Sequence, residues 1–169
     1  MLKSRSHFSL KSGELLICRE PRLVSTVLGS CVAVTMFTAR LPLAAICHAM
    51  LPAPRRGCDL DNGAGERFKY LTQALSAMFD AFQRAGILAD EIEVKMFGGG
   101  NVIGVAGEAN LDLGVGEANI RMARRLLGEH QLPIKAANVG GQRGRKIFFD
   151  TATGEIFHKF LTSTRLQPR

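Results

Sequence analysis

The sequence lacks any apolar run long enough to cross a bilayer. The longest, around residues 41 to 51, is interrupted by Pro42 and His48 and falls well short of the ~20 residues a membrane helix needs. No membrane insertion is therefore expected. The opening residues, MLKSRSHFSLKSGELLICRE, lack the apolar core and small-residue cleavage site of a secretory signal, so the expected location is cytoplasmic. CxxC and HxxxH pairs are also missing. Cys31, Cys47, His48 and Cys58 have the atom types for zinc, but adjacent Cys47 and His48 on a strand point to opposite faces, so no metal is expected. Gly98, Gly100 and Gly104 are spaced GxGxxxG, not GxGxxG, and no Lys-Ser or Lys-Thr follows, which argues against a phosphate cradle. Tight turning and close backbone approach are the expected uses of these glycines. The sequence contains no internal repeat and no block of like charges.

What is present reads as one globular unit. With 169 residues, 46% hydrophobic and 22% charged, the chain can bury a real core. A single domain over residues 1–161 is expected, with a frayed polar tail at 162–169. The net charge of +7 suits an acidic protein, a nucleic acid or an anionic surface, and by itself does not choose among them. GGQRGRK (140–146) is basic and flexible but has no interleaved aromatics, so a solvated hairpin face is expected there and no nucleic-acid partner.

Short apolar or β-branched runs separated by Pro, Gly or charge predict strands at 13–20, 23–29, 31–37 and 43–51. Phe68, Leu71, Leu75, Met78, Phe79 and Phe82 then recur at helical steps, predicting a helix from Glu66 to Gly86. Residues 91–97 alternate as a half-buried strand, and 116–130 form a second amphipathic helix with its arginines outward. Strands at 134–141, 145–150 and 155–160 close the order, the last two forming a hairpin through TATG. This order lacks regular βαβ alternation, so mixed or antiparallel sheets with packed helices are expected.

Two residues in the β-rich third are candidates for chemistry. A cysteine nucleophile needs a base within reach, and an imidazole both accepts the thiol proton and later protonates the leaving group. Counting outward from a turn near Ala39 and Arg40 brings Cys31 almost opposite His48 across a hairpin. A one-residue slip would turn one of them to the other face. The alternative is a small buried thiol and a satisfied strand-end histidine. Thr26 or Ser25 could orient the imidazole, and the amides of Ser30 and Cys31 after Gly29 could meet an oxyanion if that turn is sharp. Gly29 reads equally well as an ordinary turn glycine. Cys18 and Cys47 read as core, and Cys58 as an exposed loop thiol.

STVLGSCVAV, ICHAMLP, FGGGNV, GEANI and NVGGQRGRKIFFDTATGEI, in that order over residues 25 to 156, resemble the CheD family of chemoreceptor glutamine deamidases. The resemblance implies an α+β fold, a β-sandwich of mixed sheets with flanking helices like that of the cytotoxic necrotizing factor-type cysteine hydrolases. It implies a triad of Cys31 as nucleophile, His48 as base and Thr26 as the orienting hydroxyl, with Ser25 as the neighbouring alternative. Gly98, Gly99, Asn101 and Arg143 lie in the shared motifs and are candidate substrate or partner contacts. The implied reaction, that of a protein-glutamine glutaminase, is hydrolysis of glutamine side chains on methyl-accepting chemotaxis receptors through a cysteine thioester, without a cofactor. Cleavage of glutamyl methyl esters is implied as well. Many relatives bind a CheC-type phosphatase, so a non-catalytic adaptor for such a partner is the alternative function. Ala118 and Gln142 depart from residues common in the family, arginine and asparagine respectively, and bear on partner or substrate contacts.

Overall fold

The computed structural model describes residues 5–55, 67–102 and 114–162. Its centre is a hairpin of β4 (Val32–Thr38) and β5 (Leu43–Ala49), in which every residue of both strands is buried. Burial on two faces explains why these strands read as continuous apolar runs and not as alternating ones. Val32, Val34, Met36, Leu43, Ala45, Cys47 and Ala49 pack against helices on one side. On the other, Ala33, Phe37, Ala44 and Ile46 meet Val24, Leu28, Ile147 and Phe149 from a second sheet.

β2 (Leu15–Cys18), β5, β4, β6 (Glu93–Gly98) and β7 (Ile134–Val139) form a five-stranded sheet in that order. β1 (Ser6–Ser9), β3 (Arg22–Leu28), β8 (Arg145–Asp150) and β9 (Ile156–Phe160) form the four-stranded sheet facing it. Each sheet is mixed: β1 runs parallel to β3 and β6 parallel to β7, while the other pairs are antiparallel. The fold is therefore the expected α+β sandwich of mixed sheets. Two α-helices among the described residues, α1 (Leu71–Arg84) and α2 (Val115–Glu129), lie together on the outer face of the five-stranded sheet. Both end in a Schellman motif: Ile87 N–H reaches the Phe82 carbonyl through Gly86 at φ 69°, and Leu132 N–H reaches the Leu127 carbonyl through Gln131 at φ 56°.

Some expected boundaries move, for identifiable reasons. The first helix begins at Leu71, not Glu66, because Lys69 and Tyr70 are committed to the chain leaving β5: Met50 and Leu51 N–H both bond the Lys69 carbonyl, and Leu51 bridges Tyr70. Strand β1 has no counterpart in the sequence reading, since Ser-His-Phe-Ser at a sheet edge shows no clear apolar alternation. Cys18, expected in the core, is half-buried on the edge strand β2. The hairpin through TATG is present, with Gly154 at φ 75°. Cys58, Gly104 and residues 163–169 of the tail lie outside the described residues.

Candidate active site

Strand periodicity carries two polar side chains into the layer between the sheets. On β3, Thr26 sits between Val24 and Leu28 on the inward face, while Val27 points out. His48 follows Ala44 and Ile46 on the inward face of β5. The two meet at the end of the sandwich, where Thr26 Oγ1 lies 2.6 Å from His48 Nδ1. His48 is only 3% exposed. The 10–14 loop covers it, with Gly13 N–H on the His48 carbonyl and His48 N–H on the Glu14 carbonyl. Ser25 turns away and bonds His7 Nε2 at 2.9 Å, so of the two hydroxyl candidates Thr26 is the one that touches the imidazole.

The hydrogen bonds assign the tautomer. The Thr26 hydroxyl has one proton and gives it to the Leu10 carbonyl at 2.8 Å, so it can only accept from His48, which must then carry its proton on Nδ1. That leaves the Nε2 lone pair open to act as a base. In this structure Ser12 Oγ is 3.4 Å from Nε2, the hydroxyl donating. Burial holds the imidazole neutral, lowering its pKa from 6.5 to about 4, with the Glu14 carboxylate pulling weakly the other way.

This shift sets a pH dependence of stability. The folded pKa lies below the unfolded one, so His48 contributes fully above about pH 6.5 and its contribution is lost as pH falls towards 4. The full loss amounts to about 3 kcal/mol. Urea unfolding of the parent and of His48→Gln should show a smaller decline in the variant between pH 7 and 4. Equal declines would mean that His48 is not held neutral by the fold.

Cys31 ends the turn that leads into β4. The hairpin register pairs Ala33 with His48 and Val32 with Ala49, so Cys31 stands diagonal to His48, displaced by two residues from the expected position opposite it. A two-residue displacement keeps the face, because side chains alternate with period two. Cys31 accordingly packs, half-buried, against the inter-sheet cluster. Each carbonyl of the 29–31 turn is held by a donor: Gly29 by Gly100 N–H at 2.8 Å, Cys31 by Gly99 N–H at 2.8 Å, and Ser30 by Asn119 Nδ2 at 3.1 Å. In a trans peptide the N–H points opposite the preceding carbonyl. The amides of Ser30 and Cys31 are thus aimed away from Gly100 and Asn119.

The family profile described as "CheD chemotactic sensory transduction" matches residues 50–160. The chain is 41% identical to "Probable chemoreceptor glutamine deamidase CheD 2" of Geobacter sulfurreducens, over 94% of this chain and 92% of that one. The chain belongs to the CheD family. Similar CheD relatives, each named "Probable chemoreceptor glutamine deamidase CheD", occur in Oleidesulfovibrio alaskensis, 40% identical over 95% of this chain and 76% of that one, and Nitratidesulfovibrio vulgaris, 35% over 94% and 79%. Among solved structures, the hypothetical protein YfiH of Bacillus licheniformis is similar with a TM-score of 0.44 at 17% identity, over 74% of this chain and 50% of that chain.

The remaining CheD motif residues divide between support and surface. Gly98 and Gly99 are buried beneath Cys31, at φ 104° and 63°. Asn101 is exposed and donates its N–H to the Gly141 carbonyl. Arg143 is exposed and stacks over Phe160 at 4.9 Å. Within GGQRGRK, however, Arg145 is not on a solvated face. It is 1% exposed and bonds the Asn138 and Gly140 carbonyls, and the strand alternation of RKIFFD was the signal that could have shown it inward. Sequence reasoning also missed Ser12 and Asn119, which reach the site from distant segments.

Cys47 is fully buried on the helix side of β5, opposite His48, and burial pushes its thiol up to about 12. The pKa of Cys18 is likewise raised by burial. Among the described residues no group of three or more His, Cys, Asp or Glu side chains is placed to hold a metal.

Proposed function

We propose that this CheD-family chain is a cysteine hydrolase that converts glutamine side chains of chemoreceptors to glutamate. What supports this most is the Thr26–His48 pair: a neutral imidazole with its proton fixed on Nδ1, on the same sheet face as the half-buried Cys31, in a chain whose relatives bear the deamidase name. In the reaction, His48 Nε2 takes the Cys31 thiol proton, the Ser12 hydroxyl giving up its contact with that atom. The thiolate attacks the carboxamide carbon, and the amides of Ser30 and Cys31 receive the oxyanion. The imidazolium protonates the departing nitrogen and ammonia leaves a thioester. His48 then deprotonates a water that attacks the same carbon, and the thiolate departs, leaving glutamate. A glutamyl methyl ester reacts at the same acyl centre with methanol as leaving group. The net charge of +7 favours approach to an acidic receptor surface.

Incubation with the cytoplasmic fragment of a chemoreceptor is expected to release ammonia and convert particular glutamines to glutamate, read by peptide mass spectrometry. Absence of conversion on receptors from the same organism sinks the proposal. Thr26→Val removes the acceptor of the Nδ1 proton and should lower kcat on the order of 100-fold with KM little changed. Ser25→Ala, which touches His7 instead, should leave kcat near the parent value, and the reverse ranking would move the orienting role to Ser25.

A further inference from the structure

Asn119, on the first turns of α2, is completely buried. Its Nδ2 donates to two carbonyls, Ser30 at 3.1 Å and Met50 at 3.0 Å. One of these immediately precedes Cys31, and the other lies two residues beyond His48. Only the amide nitrogen can face two carbonyl oxygens, so the orientation of the side chain is settled by its partners. Its Oδ1 is buried without a hydrogen-bond partner, an arrangement that lowers stability. The helix is pressed close enough for this contact because Gly116 has no side chain: a Cβ there would stand 2.5 Å from the Gly99 carbonyl oxygen. Gly99 in turn donates to the Cys31 carbonyl. A residue placed to pack α2 alone has no need of an amide with one orphaned end.

We infer that Asn119 is a positioning residue for the acyl chemistry at Cys31. By holding the Ser30 carbonyl it keeps the following N–H, that of Cys31, turned to the opposite side of the peptide plane, where an oxyanion can be received. Through the Met50 carbonyl it ties that peptide to the end of the strand carrying His48. The inference rests on Cys31 being the nucleophile of the function proposed above, but not on the identity of the substrate.

p-Nitrophenyl acetate separates the two. Attack by Cys31 forms an S–C bond, breaks the ester C–O bond and releases nitrophenol, and the acetylated cysteine is located by peptide mass. Iodoacetamide alkylates the same thiol with no carbonyl oxyanion to stabilise. Asn119→Asp, which loses the donor at nearly constant shape, and the apolar Asn119→Leu should each slow Cys31 acetylation about 100-fold. Alkylation of Cys31, followed at several pH values, should stay close to the parent rate. Equal slowing of both reactions, no slowing of acetylation, a parent protein whose Cys31 is not acetylated, or failure of both variants to fold would each overturn the inference. If the parent's Cys31 is acetylated but no receptor glutamine is converted, the substrate proposal falls and the role of Asn119 stands.

Discussion

Cys31→Ala is expected to abolish receptor deamidation, lowering kcat on the order of 10⁴-fold or more, because the proposed mechanism has no other group to form its thioester. The fold should survive the change. Cys31 is half-buried and the substitution removes one atom from the rim of the inter-sheet cluster, so a stability change within about 1 kcal/mol is anticipated. Cys47→Ala is the contrasting case. That thiol is fully buried against the helices with its pKa raised to about 12, so its loss should cost stability through a small cavity and leave the chemistry intact. Ammonia release assayed beside thermal unfolding would read both quantities. Parent-level activity in Cys31→Ala would remove the nucleophile from the proposed mechanism.

Gly98→Ala is expected to have the largest effect on folding. A Cβ at this position would lie 2.1 Å from the Cys31 carbonyl oxygen and 3.3 Å from Val32 Cα, all backbone, and φ is 104°. The obstacle cannot rotate aside, because the Cys31 carbonyl is held by Gly99 N–H and Val32 is paired to Gly98 across the ladder. Backbone strain and overpacking together should cost about 4 kcal/mol, with loss of activity in whatever protein still folds. Gly128→Ala supplies the control. No neighbour lies within 4 Å of the Cβ it would add on the exposed side of α2, so the variant should match or exceed the parent in stability by up to about 1 kcal/mol. Urea unfolding of the two variants in parallel tests the distinction, and near-parent stability for Gly98→Ala would contradict the close approach beneath Cys31.

The two central strands, the second amphipathic helix and the last hairpin were legible in the sequence because each is signalled by local periodicity or turn chemistry. Cys31 and His48 could be selected from it for the same reason: a hairpin of apolar strands puts its ends together, and alternation keeps residues two apart on one face. The register itself was not legible. Counting from the turn placed Cys31 opposite His48, whereas pairing of Thr38 with Leu43 shifts the ladder by two residues, a difference set by packing along both strands. Strand β1 escaped notice because four residues at a sheet edge acquire their conformation from β3. Arg145 looked like surface because its compensation comes from carbonyls of the segment before it.

By itself, then, the sequence determined the mixed α+β character, the family, and the residue types able to perform acyl transfer, all of which follow from short-range pattern and motif. Only the tertiary structure decided which hydroxyl meets the imidazole, which nitrogen carries its proton, and how the turn before Cys31 is held. Those depend on contacts between β3, the 10–14 loop, the glycines after β6 and Asn119 of α2. These segments are far apart in the chain, and no local propensity encodes the direction of a hydrogen bond between them.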